Sequence, residues 1–277
     1  SYDGPDEWSY RRFVLHNAKL AAEAAADVFV IGSELRGLTT ARDSAVTFPA
    51  VAALRALAAD VRSLLGPEAT ITYAADWSEY FGHQPQDGSG DVFFHLDPLW
   101  ADNNIDVIGI DWYPPLSDWR DGDTHLDAQE APSIYALGYL DGRIEGGEAF
   151  DWFYASQEER DAQFRTPITD SAYGEAWIYR AKDIRSFWAN PHHNRPGGVR
   201  DETATAWTPQ SKPIWFMELG CPAIDKGANA PNVFGDAKSS ESAEPYYSTG
   251  ARDDLIQRRT LEAYLRHWDV EGGGNPV

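Results

Sequence analysis

The stretch Pro213-Ile-Trp-Phe-Met-Glu-Leu-Gly-Cys-Pro222 is a short apolar run that ends on a carboxylate, Glu218, and is then broken by Gly220 and Pro222. Far upstream, Val28-Phe-Val-Ile-Gly-Ser-Glu34 has the same construction, with four apolar residues, a glycine and a glutamate near its carboxyl end. In a parallel α/β barrel the ligand site lies at the carboxyl ends of the strands. The two runs therefore predict parallel strands whose glutamates face one pocket.

Helices and strands alternate on the amino-terminal side of that stretch. Apolar residues at helical spacing predict helices, and short apolar runs predict strands. The predicted order is helix, strand, helix, strand, helix, strand, over residues 9–26, 28–31, 49–65, 70–75, 93–100 and 105–110. The run Val28–Ile31 is wholly apolar, as in a parallel strand that is covered on both faces. This order predicts right-handed βαβ units in a parallel sheet.

Three irregular stretches separate the later elements. The first is an insertion over residues 116–172, which is dense in Asp, Gly and aromatic residues. A segment of this length is usually a functional excursion or a small subdomain, and we expect it to cover the rim of the pocket. The others lie at about 190–212 and 222–250, and helices are predicted at about 175–188 and over 255–268.

The predicted fold class is α/β, a (β/α)8 TIM barrel that forms one domain over residues 1–277. The strand count leaves two alternatives, because four strands are predicted where a closed barrel has eight. Either weaker strands lie in the irregular stretches, or the chain is an interior piece of a longer polypeptide, starting before strand four and stopping before strand eight. The opening helix and the glycine-rich tail from Glu271 favour the second alternative.

The composition fits a domain that binds an uncharged ligand. The 277 residues, with 43% hydrophobic and 13% aromatic content, can bury one large core. A formal charge of −21, from 44 acidic and 23 basic residues, opposes binding to nucleic acid and to anionic lipid, whereas a neutral sugar meets no such penalty. For most of these charges we favour a simpler interpretation, a solvated surface that keeps the protein soluble. The longest apolar runs fall short of the roughly 20 residues that span a bilayer. Neither a G-x-G-x-x-G motif nor a P-loop occurs, so no cofactor is expected.

Histidine and cysteine patterns do not favour a metal or thiol site. His192 and His193 are adjacent and so point in different directions, no H-E-x-x-H or H-x-x-E-H run occurs, and histidines in surface loops are common. We therefore expect no metal site. Cys221, the only cysteine, excludes an internal disulfide and is expected to be a small buried residue rather than a catalytic thiol.

The two strand-end glutamates have the residue type that glycoside hydrolysis needs. One carboxylic acid protonates the leaving oxygen, and the other carboxylate acts as nucleophile or base. A separation of about 5 Å between the carboxyl groups would indicate a retaining mechanism. The spacing alone leaves a second interpretation open, in which Glu34 and Glu218 form structural ion pairs, with Arg36 as a possible partner of the first.

Aromatic and acidic residues follow the other strands at the same end. Asp76-Trp77 follows the second strand, and Asp111-Trp112-Tyr113 follows the third. An aromatic face can stack on a sugar ring and an aspartate can bind hydroxyls, but aromatic residues also dominate protein cores. We favour the ligand role for Trp77 and Tyr113 and a core role for Trp112.

Several motifs resemble known families. Val28–Glu34 resembles the fourth-strand acid/base segment of retaining TIM-barrel glycosidases, Pro213–Gly220 their seventh-strand nucleophile segment, and Asp106–Pro114 their sixth strand, whose tyrosine often hydrogen-bonds the nucleophile. More closely, the chain resembles the TIM-barrel-like domain of the large tail-tip proteins of gene transfer agents and related phages. The motifs that carry this resemblance, which covers nearly the whole chain, are Ile105–Pro115, Gly174–Trp177, Asn194–Gly198 and Glu218–Gly227.

The resemblance implies a function and a set of site residues. It implies a retaining glycoside hydrolase in the tail of a virion or phage-like particle, assembled in the bacterial cytoplasm and acting on polysaccharide at the target cell envelope. Glu34 would be the acid/base and Glu218 the nucleophile. The predicted substrate-binding residues are Ser33, Arg36, Asp76, Trp77, Asp111 and Tyr113. Ser33 stands where many of these glycosidases have an asparagine that binds the 2-hydroxyl.

Two classes of function follow from this resemblance. The partners of the enzyme would be a glycan and the other tail proteins, with no nucleic acid. The alternative is a non-catalytic structural or receptor-binding domain of the tail tip that keeps a sugar-binding face without turnover, since a fold by itself does not decide activity.

Overall fold

The structure, a computed structural model, describes residues 8–44, 46–240, 242–271 and 275. Its α-helices are α1 Tyr10–Glu23, α2 Arg36–Thr39, α3 Pro49–Leu65, α4 Asp97–Trp100, α5 Leu126–Glu130, α6 Leu137–Gly142, α7 Gln157–Ala162, α8 Ile184–Ala189 and α9 Asp254–His267. Its strands are β1 Val28–Ser33, β2 Thr70–Asp76, β3 Ile108–Trp112, β4 Trp152–Phe153, β5 Thr166–Pro167 and β6 Ile214–Leu219. Short 3-10 helices lie at Ala176–Tyr179, Pro196–Gly198 and Gly227–Asn229.

The four predicted strands form one sheet in the order β1-β2-β3-β6. β1 pairs in parallel with β2, with Val28 opposite Thr70, and β2 pairs in parallel with β3, with Ala74 opposite Gly109. At the start of β6, the carbonyl of Pro213 accepts a hydrogen bond of 2.9 Å from Ile108 N. The α/β class and the parallel sheet are thus confirmed. In the described part of the chain this sheet has four strands, half of the eight that close a TIM barrel.

The central and outer strands differ in burial. β3 is buried along its whole length and β2 along all but its end residues, as a parallel strand covered on both faces requires. In β1, by contrast, Val28 is 40% and Val30 is 37% exposed. The prediction that this run is covered on both faces was wrong, because β1 ends the strand order and α1 and α3, which contact it, leave one of its faces open.

The chain divides into two compact units. The first comprises Ser1–Asp111 and Phe187–Met217, and the second comprises Trp112–Ser186 and Glu218–Val277. In the first unit, α3 buries most of the apolar stripe predicted for it, namely Val51, Leu54, Leu57, Ala58 and Val61, whereas Leu64, also predicted on the stripe, is 43% exposed. Pro49 lies in the first turn of α3, where a backbone N–H would have no partner within the helix. No helix in the described ranges is long and apolar enough to cross a membrane.

A buried histidine organises the irregular stretch 190–212 of the first unit. Nδ1 of His192 lies 2.9 Å from a carboxylate oxygen of Asp97 in α4, and Nε2 lies 2.8 Å from the carbonyl of Phe187. The ring stacks on Phe94 at a centroid distance of 4.3 Å. His192 is therefore a core residue and not one of the surface-loop histidines that the sequence analysis expected, because the neighbouring carboxylate and carbonyl satisfy its nitrogens.

Residues 116–172, the predicted insertion, lie within the second unit. This segment contains α5, α6, α7 and the antiparallel pair β4–β5. The carboxylates of Asp118 and Asp127 are buried, and Arg165 donates to both. Burial alone would raise the pKa of Asp127, but hydrogen bonds from Tyr139 and Arg165 outweigh it and lower that pKa. Buried ion pairs thus lie alongside apolar core residues such as Leu140, Ile144 and Trp152 in this segment.

The helix predicted at about 175–188 is instead a 3-10 helix, Ala176–Tyr179, followed by α8. The side chain of Lys182 is buried and donates to the carbonyl of Pro115 at 2.8 Å. Asp183 then accepts a hydrogen bond of 3.1 Å from Ser186 N, the bond that caps the start of a helix. The buried Lys182 and the hydrogen bond from Ser186 N to Asp183 thus mark the break between the two helices.

A substitution at Gly109 would test the packing of the central strands. A Cβ added there would lie 2.5 Å from the carbonyl oxygen of Tyr73 and 3.0 Å from Cγ of Met217. We expect Gly109→Ala to lower the free energy of unfolding by about 1–3 kcal/mol, the usual cost of overpacking a close-packed core. Chemical unfolding measures it, with Gly138→Ala in α6, where an added Cβ meets nothing within 4 Å, as the matched control. Equal stability of the two variants would contradict this packing.

His267 makes the stability of the second unit depend on pH. Its ring donates to Glu145 at 3.0 Å and to Asp141 at 3.1 Å, and these bonds raise its pKa above the ordinary value of 6.5. A raised folded-state pKa stabilises the protein below the unfolded pKa and loses that effect as the pH rises through the folded pKa. The free-energy difference between wild type and His267→Gln should therefore be larger at about pH 5.5 than at about pH 8.5.

A double-mutant cycle with Glu145→Gln isolates this interaction from the rest of the protein. The coupling free energy between the two residues should be smaller at the higher of the two pH values. A coupling that is the same at both would show that the imidazolium makes no contribution.

Candidate functional site

Glu34 leaves the sheet directly after β1 in a fixed backbone conformation. Its φ is +51°, in the left-handed region that non-glycine residues seldom adopt, and its N–H donates to the carbonyl of Ala74 in β2 at 2.8 Å. At Gly32, two residues before Glu34, an added Cβ would lie 2.7 Å from the hydroxyl of Tyr10, so that this side chain would have to move. The left-handed conformation also occurs at Gln163, an ordinary helix end, so it does not by itself mark a site.

A buried hydrogen-bond chain supports the residue after Glu34. The N–H of Leu35 donates to the hydroxyl of Tyr73 at 2.7 Å, and this hydroxyl in turn donates to Glu79 at 3.1 Å. Thr39 also donates to Glu79. Burial raises the pKa of the Glu79 carboxyl and of the Tyr73 hydroxyl. The sequence analysis missed both residues, because a glutamate in a turn after a strand ordinarily faces solvent.

Ser33 and Asp111, both predicted substrate-binding residues, lie together. The Ser33 hydroxyl donates to the Asp111 carboxylate at 2.8 Å. Asp111 is 1% exposed, whereas Ser33 is exposed. The serine at this position therefore has a partner within the sheet.

Arg36 and Asp76 share a partner. Arg36 donates to the hydroxyl of Ser78 at 2.7 Å, and Asp76 accepts from the N–H of Ser78 at 2.8 Å and from its hydroxyl. Trp77, between Asp76 and Ser78 in the turn after β2, is half-buried. Arg36, the exposed first residue of α2, contacts this turn through Ser78.

Glu218 and Tyr113 form the corresponding pair of the second unit. The Tyr113 hydroxyl donates to Oε2 of Glu218 at 2.9 Å. Glu218 is the fifth residue of β6 and is exposed, so its other oxygen can contact a ligand. The Tyr113 ring also makes an edge contact with Phe234, at a centroid distance of 5.9 Å. The sequence analysis named Tyr113 but did not consider Phe234, which lies in an irregular stretch without a motif.

The residues beside this pair are core residues, as predicted. Trp112 is fully buried. Cys221 is 2% exposed, and burial raises the pKa of its thiol to about 11, so that the nucleophilic thiolate is disfavoured. Within the described ranges, no group of three or more His, Cys, Asp or Glu side chains is placed to bind a metal ion.

The arrangement offers carboxylates at strand ends, with hydroxyl donors and aromatic rings beside them. Such groups can transfer protons, attack a carbon centre and bind sugar hydroxyls. The structure brings Ser33 to Asp111, Arg36 to the Asp76 turn, and Tyr113 to Glu218.

Comparison with known proteins identifies the family. A comparison with curated proteins finds no significant match. A family model described as the GTA TIM-barrel-like domain matches residues 8–277, nearly the whole chain. This match confirms the resemblance on which the sequence analysis drew. The chain belongs to the gene transfer agent (GTA) TIM-barrel-like domain family.

Proposed function

We propose that this domain is a retaining glycoside hydrolase that cleaves a cell-envelope polysaccharide at the tip of a phage-like tail. Glu218 is the nucleophile and Glu34 is the acid/base. The observation that carries the proposal is the hydrogen bond of 2.9 Å from the Tyr113 hydroxyl to Oε2 of Glu218. It fixes the orientation of the carboxylate and occupies one oxygen while the second stays available for attack.

The positions of the two glutamates support the same reaction. Glu34 follows β1 and Glu218 lies near the end of β6, and both strands belong to one sheet. In TIM-barrel enzymes, catalytic residues come from the carboxyl ends of several different strands. The bonds from Glu34 N to Ala74 and from Leu35 N to Tyr73 fix the backbone on both sides of the Glu34 carboxyl group.

The reaction has two steps. In the first, an oxygen of Glu218 attacks the anomeric carbon while protonated Glu34 donates its proton to the departing glycosidic oxygen, and a covalent glycosyl ester forms. In the second, ionised Glu34 takes a proton from water, the resulting hydroxide attacks the same carbon, and the ester bond to Glu218 breaks. Two displacements at one carbon retain the anomeric configuration, and this chemistry requires carboxyl groups about 5 Å apart.

The family assignment and the net charge support the proposed location in a phage-like tail and the proposed glycan ligand. Membership of the GTA TIM-barrel-like family associates the chain with a phage-like particle, where the other tail proteins would be its partners. The formal charge of −21 favours an uncharged glycan over nucleic acid as ligand.

One observation favours a second function, a glycan-binding tail-tip domain without turnover. Ser33, which takes the place of the asparagine that binds the 2-hydroxyl in many related enzymes, donates its hydroxyl to Asp111 at 2.8 Å. Because the Ser33 hydroxyl already donates to Asp111, it stabilises less well a transition state that depends on a contact with the 2-hydroxyl of the sugar. The two functions differ in turnover and not in binding.

Replacement of the two glutamates separates these functions. We expect Glu34→Gln and Glu218→Gln each to lower kcat by about a hundredfold to ten-thousandfold, because the amide can neither transfer the proton nor attack the carbon. Hydrolysis of a panel of aryl glycosides and bacterial envelope polysaccharides measures the effect. Glu68→Gln is the matched control, since Glu68 is exposed and precedes β2 at the amino end of the strand.

The contrary outcome is equally definite. If the wild type hydrolyses no substrate while both variants bind envelope glycan as tightly as the wild type, the enzyme proposal is overturned and the binding domain remains.

Tyr113→Phe tests the role of the Tyr113 hydroxyl. A hydrogen bond to a charged group is worth about 1.5–3 kcal/mol, so we expect kcat to fall by about tenfold to a hundredfold, with substrate affinity unchanged. Tyr135→Phe is the control, because it removes a similar bond, from Tyr135 to Asp253 at 2.7 Å, within the same unit. Equal kinetic effects of the two substitutions would show that Tyr113 acts through stability alone.

A further inference from the structure

We infer that Phe234 is the stacking surface for the sugar ring that lies next to Glu218, and that this sugar is an uncharged pyranose with equatorial hydroxyls. This inference rests on the proposed function, and it identifies the substrate class and a residue that selects it. No motif in the sequence points to Phe234.

The position of Phe234 beside the candidate nucleophile is the first argument. Its ring centroid lies 5.9 Å from that of Tyr113, with the ring planes at 88°. Tyr113 in turn donates to Glu218 at 2.9 Å. One tyrosine therefore contacts both the carboxylate and the second ring, which places Phe234 beside the hydrogen-bond donor of Glu218.

The loop that carries Phe234 is fixed at its base. Asn229 is 2% exposed, and its side chain uses both its oxygen and its nitrogen. The oxygen accepts from the hydroxyl of Ser117 at 2.5 Å and from Trp119 N at 2.9 Å. The nitrogen donates to the carbonyls of Trp119 and Tyr246, each at 2.8 Å. These four hydrogen bonds of a buried amide hold the chain in place where the loop begins.

The outer part of the same loop is closed by its own bonds. Asp236 N donates to the hydroxyl of Ser242 at 3.0 Å, and Ala243 N donates to the carbonyl of Phe234 at 3.4 Å. The ring is thus presented from a closed loop rather than from a free end.

The exposure of Phe234 is the second argument. The side chain is 46% exposed although it already packs against Tyr113. Single exposed apolar residues are normal on protein surfaces and need no explanation. A ring that is partly exposed, rigidly placed and adjacent to a functional carboxylate differs from these, because binding sites combine aromatic walls with a few fixed polar groups.

The chemistry of the ring indicates the ligand. The face of an aromatic ring carries partial negative charge and is apolar. A pyranose with equatorial hydroxyls presents flat C–H surfaces on both faces, which complement such a ring, whereas an axial hydroxyl leaves only the opposite face for stacking. The formal charge of −21 further disfavours a polyanionic sugar such as a polyuronate.

The experiment measures binding by isothermal titration calorimetry with the full chain in the Glu218→Gln background, so that no turnover is needed. The probes are cellohexaose, xylohexaose and chitohexaose, with mannohexaose and oligogalacturonate as comparisons. We expect at least one of the first three to bind more tightly than the comparisons, and Phe234→Ala to weaken that binding about tenfold, the loss typical of an aromatic anchor. Phe234→Trp should restore it. Phe13→Ala, which truncates an exposed ring on α1, is the matched control and should leave binding unchanged.

The outcomes separate this inference from the proposed function. Unchanged affinity in Phe234→Ala, with the melting temperature also unchanged, overturns the role of Phe234 and leaves the proposed function standing. Preferred binding of mannohexaose or oligogalacturonate overturns the substrate class. If none of these oligosaccharides binds to any variant while all variants remain folded, the inferred substrate class is overturned, and the hydrolysis of envelope polysaccharides described above decides the proposed function separately.

Discussion

The close approach of the central strands at Gly109 is the constraint on which the sheet depends. A Cβ at this position would come within 3.0 Å of the backbone of β2 and of the side chain of Met217 in β6, so the strands can lie at this distance only because no side chain intervenes. Two residues in this packing lie next to the candidate catalytic residues, either along the chain or through a hydrogen bond. Tyr73 in β2 hydrogen-bonds Leu35, which follows Glu34, and Met217 immediately precedes Glu218. The packing of the sheet thereby sets the backbone from which each glutamate projects.

Carboxylates have two distinct environments in this acidic chain. Asp118, Asp127 and Glu79 are buried, and each accepts several hydrogen bonds from arginine, tyrosine or threonine side chains. Buried carboxylates of this kind must have partners, because an unpaired charge in the interior is strongly unfavourable. Glu34 and Glu218 instead lie exposed at strand ends, where a carboxylate can meet a ligand. Exposure is shared with other carboxylates such as Glu68, so the two candidates are distinguished by their positions at the carboxyl ends of β1 and β6.

Several features of the fold and of the site could be predicted from the sequence. The four apolar runs gave the four strands, because a buried parallel strand needs a continuous apolar stretch. The stripe from Pro49 to Leu65 gave α3, and Tyr113 was expected near Glu218 from the resemblance of its strand. Helix 175–188 was predicted less well, since it is broken near the buried Lys182, and the exposure of Val28 and Val30 was not anticipated.

The sequence by itself determined the four strands of the parallel sheet and the glutamates at the carboxyl ends of two of them, because apolar runs and their chain-breaking residues are local properties. It did not predict the short pair β4–β5. Only the tertiary structure decided the partners: that Ser33 donates to Asp111, that Tyr73 and Glu79 support the loop after Glu34, that His192 lies in the core, and that Phe234 packs on Tyr113. These contacts join residues from different strands and loops. No local pattern encodes them, because the energies that select them, hydrogen bonding in a buried environment and ring packing, arise only when the chain brings distant segments together.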